Sequence, residues 1–211
     1  MRSFAKYFFS FVCIILPGAD MCCDEANEVV FTISRSVSFT VNSGTGSYSQ
    51  NIPVDVTDAV SSALDDEDLN PDKVQRIYIE SITYAVRQNI SAANTAITFS
   101  VQVGPAGSTN PAGAQLLANA AGVSLDQIEG TQQQPELSSG GIQFLNNVLN
   151  TTFVAQTGRA AFTAFLDGTA APAPLPNLSF IIDVTVTLSG VAVQNYDCFL
   201  EPDLSSLSTL N

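Results

Sequence analysis

A chain of 211 residues is long enough to bury one substantial core and short for two, and a hydrophobic content of 45% excludes wholesale disorder. With 20 acidic side chains against 7 basic ones the formal net charge is -13, a field that opposes nucleic acid and anionic lipid headgroups and favours cations or basic partners. There is no histidine, which removes Ser-His and Cys-His nucleophile pairs and every imidazole metal ligand.

The first residues read as an export signal. Arg2 and Lys6 make a positive start, residues 7–16 are an apolar run, and Pro17 and Gly18 break it. The run is too short to span a bilayer, so any membrane contact is expected only through the signal or a lipid anchor. This places residues 1–21 in the signal, 22–196 in a single domain and 197–211 in a tail, with the protein exported to the cell surface, outer envelope or medium. Of the four cysteines, Cys13 lies inside the apolar run. A lipid on Cys22 would leave Cys23 to pair with Cys198 in the oxidising compartment that export implies. Ala19, Asp20 and Met21 depart from the small or apolar residues of a bacterial lipidation box, and the disulfide requires the first and last strands to be neighbours.

Residues 29–41 form the first predicted strand. The odd positions are Phe31, Ile33, Arg35, Val37, Phe39 and Val41, and the even ones between them are all Ser or Thr, the two-residue period of a half-buried strand. A glycine-rich turn follows at 42–46, then a second alternation at Ile52, Val54 and Val56, where Pro53 favours an edge or a strand opening. Thr57 or Asp58 is expected to cap a short helix with Val60 and Leu64 on one side, followed by a charged surface loop over 65–72. Residues 77–86 read as a central strand whose apolar parity shifts near Glu80 and Ser81, the mark of a bulge. Ile97, Phe99, Val101 and Val103 alternate next, and a long loop spans 104–113.

The middle is less strand-like. Residues 112–121 are expected to form a short helix ended by Gly122, and 129–136 an exposed polar stretch. Ser139 caps a helix over 140–150 with Ile142, Leu145 and Leu149 at helical spacing. Strand character returns at 152–155 and 159–166, a proline-rich connector covers 170–176, and a last long alternation runs over 178–188. Its parity switches at Gly190, which suggests a second bulge. Seven to nine short strands with two or three inserted helices make a mainly β chain, an antiparallel two-layer β-sandwich.

Chemistry has little to work with. Asp66, Asp68, Asn70 and Asp72 recur at every second position, as oxygen ligands do at the start of a calcium loop, but Pro71 stands where such a loop needs glycine and Ile77 where it needs a bidentate glutamate. Calcium is therefore the one cofactor candidate, against a solvated acidic turn. Asp126, Glu129, Glu136, Asp167 and Asp183 are the carboxylates from which a hydrolase would have to be built, although their spacing does not bring them together. With no tryptophan, a sugar platform would fall to Tyr48, Tyr78, Tyr84 or Tyr196, residue types that in strands more often pack across neighbours. Asn89, Asn150 and Asn177 each open an Asn-x-Ser/Thr triplet, a number that composition alone produces.

The export signal, the cysteines before the first strand and the segments VFTISRSVSFTV, VQRIYIESITYAV and LSFIIDVTVTLSGVAV together resemble uncharacterised bacterial surface β-sandwich lipoproteins, a likeness of pattern over residues 22–194. The resemblance implies attachment to an envelope and a structural or accessory role. The sequence thus reads as a non-catalytic subunit acting through protein partners or self-assembly, with residues 31–41 and the tail as candidate edges for strand pairing. A carbohydrate- or calcium-binding accessory module is the alternative, and a carboxylate-only hydrolase a third reading.

Overall fold

A computed structural model of the chain describes residues 26–172 and 177–195. Its elements in chain order are β1 (Ala26–Ser43), β2 (Ser47–Asp55), α1 (Thr57–Asp65), β3 (Val74–Arg87), β4 (Ala96–Pro105), β5 (Gln115–Ser124), α2 (Leu125–Ile128), β6 (Glu136–Leu137), α3 (Ser139–Phe153), β7 (Ala161–Ala171) and β8 (Leu178–Asn195). Two antiparallel sheets result, one of three strands in the order β1-β8-β3 and one of five in the order β2-β7-β4-β5-β6. The expected mainly β sandwich with short inserted helices is the observed architecture. Cys22, Cys23 and Cys198, the signal and the tail lie outside the described residues.

The two-residue period does what strand geometry demands. Phe39 and Val41 of β1 and Leu178, Phe180, Ile182 and Val184 of β8 are buried against Ile97, Phe99, Val101 and Val103 of β4 and Leu166 of β7, while Phe31 and Ile33 of β1 and Leu188 of β8 are buried in a second cluster with Val60 and Leu64 of α1 and Leu149 and Phe153 of α3. The parity change in β3 is a bulge: Ile79 pairs with Leu188 and Ser81 with Thr187, leaving Glu80 as the extra residue. The second switch is resolved differently from expectation. The register slips between Val74 and Arg76, so the extra residue is Gln75 on β3 rather than one on β8. Gly190 instead makes room for a ring: a Cβ there would sit 2.2 Å from Phe31 Cζ and 2.7 Å from the carbonyl oxygen of Arg76.

Four expected elements need correction. β3 is the outermost strand of its sheet, not a central one, because its second neighbour is loop and helix rather than strand. Residues 112–121 contribute to β5, not to a helix; β4 offers an unfilled ladder, and Leu117, Ala118 and Ala120 are buried against it. Thr152 and Phe153 complete α3, whose Phe153 fits the same apolar face as Leu145 and Leu149. The cap of α1 also shifts: Val56 is the N-cap residue, and Asp55 Oδ1 accepts the backbone N–H of Thr57 at 3.0 Å.

α3 packs against β3 of one sheet and β5 of the other. Its amide side chains reach β3, with Ile79 N–H donating to Asn146 Oδ1 at 2.8 Å and Asn150 Nδ2 donating to the carbonyl oxygens of Ile77 at 3.1 Å and Asn146 at 2.7 Å. Its N-terminal turn lies on β5 so closely that a Cβ on Gly141 would come within 2.5 Å of Leu116 O and Leu117 Cα, both backbone atoms. A Cβ on the preceding Gly140 would meet only the movable Gln115 side chain, at 3.2 Å. Gly141→Ala should therefore cost about 1–3 kcal/mol of stability by forcing the helix off the sheet. Gly140→Ala should be neutral or gain up to about 1 kcal/mol from helix propensity. Urea denaturation of the two variants checks this, and equal effects at the two positions would refute the close approach.

Candidate functional site: the open strand edge and the apolar slot beside it

Four strand edges flank the two sheets, and three are blunted. β6 is only two residues long. β2 carries Pro53, which has no N–H to offer. The outer side of β3 is occupied: Tyr84 exchanges backbone bonds with Gln133 (2.9 and 2.8 Å), Gly130 N–H donates to Val86 O at 2.8 Å, and the two asparagines of α3 take Ile77 and Ile79. β1 is different. It is 18 residues long, contains no proline and, among the described residues, has β8 as its single strand neighbour. Among the described residues its outer side receives one bond, from the Gln50 side-chain amide to Thr40 O.

The outward face of β1 joins a hydroxyl-rich surface. Ser34 bonds Thr187 at 3.1 Å and Ser36 bonds Thr185 at 2.6 Å, while Ser38 donates to Asp183 Oδ1 at 2.5 Å. Asp183 also accepts from Arg87 Nε at 2.7 Å. Partial burial alone would raise the Asp183 pKa, but the bonds from Arg87 and Ser38 outweigh it and the carboxyl is held below its usual range. Asp183 does face outward as expected, half-buried rather than fully solvated.

On the inward face the run is interrupted at Arg35, which is exposed, and at Val37, which is only half-buried. Beyond the 44–46 turn β1 and β2 belong to different sheets, and between them an apolar slot enters the sandwich. Its walls include Val37, Val54, Val56, Phe162 and Val186, with Leu145 and Leu149 of α3 also lining it, and its internal cavity is ≈ 40 Å³. Arg35 is the only charged residue of the lining, and its guanidinium donates to Ala59 O in the first turn of α1 at 3.1 Å.

The neighbouring cation is satisfied elsewhere. Arg159 bonds Asp55 Oδ2 at 2.6 Å and Asp58 Oδ1 at 3.1 Å. The side-chain bond from Arg159, aided by Thr57, pulls the Asp55 carboxyl down to about 2, and Arg159 itself is shifted up by the same bond.

The residues singled out in the sequence are dispersed. Asp66, Asp68, Asn70 and Asp72 are all exposed on the α1–β3 loop, where Asn70 Oδ1 accepts Asp72 N–H at 2.9 Å and Leu69 is the buried anchor. Among the described residues no group of three or more Asp, Glu or Cys side chains is placed to hold a metal ion. Of the five carboxylates, Asp126 and Glu129 meet at Asn89, accepting its side-chain and backbone N–H at 3.1 and 3.0 Å. Glu136 accepts from Asn119 at 3.2 Å, and Asp167 is on β7 in a shallow depression with Thr98, Ser100 and Thr169. Tyr48 and Tyr84 are core packing residues, edge-on to Phe180 and Phe99 at 5.7 and 5.0 Å, and burial pushes both hydroxyls up. Tyr78 is exposed beneath the Arg76 guanidinium, 5.6 Å from its ring centre. Tyr196 lies outside the described residues. The feature that sequence reasoning passed over is Arg35; the signal was a charge on the apolar parity of β1.

No protein-family model and no curated protein matches the chain. Among solved structures it is similar to turnip yellow mosaic virus, at 16% identity over 90% of each chain with a TM-score of 0.30. It is also similar to desmodium yellow mottle tymovirus, at 6% identity over 94% of this chain and 97% of that one, TM-score 0.30. A third is infectious bursal disease virus, Gx strain, at 11% identity over 85% of this chain and 42% of that one, TM-score 0.31. At these scores the likenesses decide neither family nor function. Among the described residues no helix is long and apolar enough to cross a membrane.

The Asp55 shift has a pH signature. Its folded pKa is below the ordinary 3.8, so its contribution is fully present above about pH 4 and is lost as the pH falls toward 2. Both partners are substantially exposed, so the effect is screened and small. Asp55→Asn should lower the urea midpoint at pH 6, and the gap to wild type should close at pH 2; a gap that persists at pH 2 would assign the effect to something other than charge.

Proposed function

We propose that this protein is an exported, non-catalytic structural subunit that works through protein contacts, and that β1 is the edge by which one copy pairs with another. The observation that carries the reading is the asymmetry of the four edges among the described residues: three are shortened, interrupted or covered, and no described strand pairs with the outer side of the longest. An unpaired strand of this length presents a row of N–H and C=O groups that another strand satisfies at little cost in side-chain ordering. The hydroxyl-rich outer face supports it, since its β1 positions Thr32, Ser34, Ser36, Ser38 and Thr40 carry no charge and Asp183 of the adjacent β8 is paired with Arg87. Export rests on the positive start and apolar run of residues 1–16, and envelope attachment through Cys22 on the residue pattern alone. The absence of histidine and the engagement of Asp126, Glu129 and Glu136 in holding loops and strands support a role without bond-breaking chemistry.

One open edge per copy has a definite outcome. β1 paired antiparallel with β1 of a second copy uses the same surface on both, so the contact is two-fold and self-limiting. Purified protein should sediment as a dimer, with β1 amides protected from hydrogen exchange. A Val30→Lys/Ser36→Lys variant, charged at one exposed apolar and one outward hydroxyl position, should need at least about tenfold more protein to dimerise, the equivalent of about 1.4 kcal/mol. Val30 is 71% exposed, so that change leaves the core untouched. A stable monomer at all concentrations would overturn the reading.

A further inference from the structure

The slot between β1 and β2 combines an apolar cavity with a single guanidinium. We propose that it takes a short alkyl carboxylate, with the chain between the sheets and the carboxylate on Arg35. The inference does not rest on the pairing of β1.

Three observations lead there. First, the slot lies where two inward positions of β1, Arg35 and Val37, are not buried, while Phe31 and Ile33 before them and Phe39 and Val41 after them are. Val37, Val54, Val56, Phe162 and Val186 are left partly exposed around the gap. An apolar lining of this kind gains by taking up hydrocarbon, because its own walls lack contact partners on one side.

Second, the only charge at the slot is Arg35. The cations elsewhere on the strands and β7 loop are engaged: Arg87 with Asp183, Arg159 with Asp55 and Asp58, and Arg76 over the Tyr78 ring. Among the described residues Arg35 makes no ion pair, and neither do Arg76 and Lys73, which do not line the slot. Its bond to Ala59 O uses one of five guanidinium donors on a residue that lines the slot. A planar guanidinium with free donors matches a carboxylate through paired bonds. Third, the size sets the chain. A cavity of ≈ 40 Å³ exceeds the ~10–15 Å³ a single water needs and suits a tail of a few carbons rather than a long acyl chain.

Titration calorimetry with butanoate, hexanoate, octanoate and decanoate tests the assignment, with octylammonium and octanol as controls. Affinity should rise about fourfold per added methylene and then level off once the cavity is full. Octylammonium should not bind, and octanol should bind at least about tenfold more weakly than octanoate. Arg35→Gln, at an exposed position, should reduce octanoate binding about tenfold while leaving the melting temperature unchanged. Val37→Phe, which fills the slot, should abolish it. If Val37→Phe unfolds the protein, methyl chemical shifts of Val37, Val54 and Val186 in the wild type report occupancy directly. Affinity independent of chain length, equal binding by Arg35→Gln, or unshifted valine methyls would each overturn the proposal. The Val30→Lys/Ser36→Lys variant should bind octanoate as wild type does, so loss of dimerisation and loss of the ligand are read separately.

Discussion

Phe39 and Val41 enter the space between the sheets, and Phe31 and Ile33 the cluster beneath α1 and the end of α3, from a strand that among the described residues has a hydrogen-bonded strand neighbour on one side only. Burying each contributes roughly 1.5–3 kcal/mol, and those four anchors are what tie β1 into the molecule. They are grouped at two places, with Arg35 and Val37 between them. The middle of the strand is thus held by its ladder to β8 and by the Ser–Thr rows on the outer face. An outward edge, a neutral face and an apolar opening all follow from that one arrangement.

The charge is distributed to match. Acidic side chains collect on the α1–β3 loop and on the first turn of α1, whereas the outer face of the three-stranded sheet is dominated by hydroxyls bonded to each other. A hydroxyl pair across two strands satisfies both partners without a net field, so this surface is insensitive to ionic strength in a way that the acidic loop is not. The strongly negative total keeps copies apart at long range and leaves short-range contacts to the neutral strand.

Where the chain forms two-sided strands, the fold was legible. The alternations in β1, β4 and β8 and the parity shift at Glu80 each gave the buried face, because a period of two has one physical reading. β5 was not legible: its alanines carry no period, and its strand state is imposed by the vacant edge of β4. Nor could local pattern reveal that β3 is an outer strand, since Gln133, Asn146 and Asn150, which cover it, lie about 50 to 70 residues away in sequence. Of the site, the edge was visible as a long uninterrupted strand. The slot was not, because it needs β2, β7 and α3 to meet behind Arg35.

The join between α3 and β3 bears on how the chain is handled as it is made. The triplet beginning at Asn150 would be a sugar acceptor through its side-chain nitrogen, yet in the fold that nitrogen is engaged by Ile77 O and Asn146 O. An oligosaccharide there and the seated helix exclude one another. In a secretory route with an oligosaccharyltransferase, modification at Asn150 would act as a ratchet that retires late-folding molecules, whereas at Asn177, which is exposed, it would leave the fold intact.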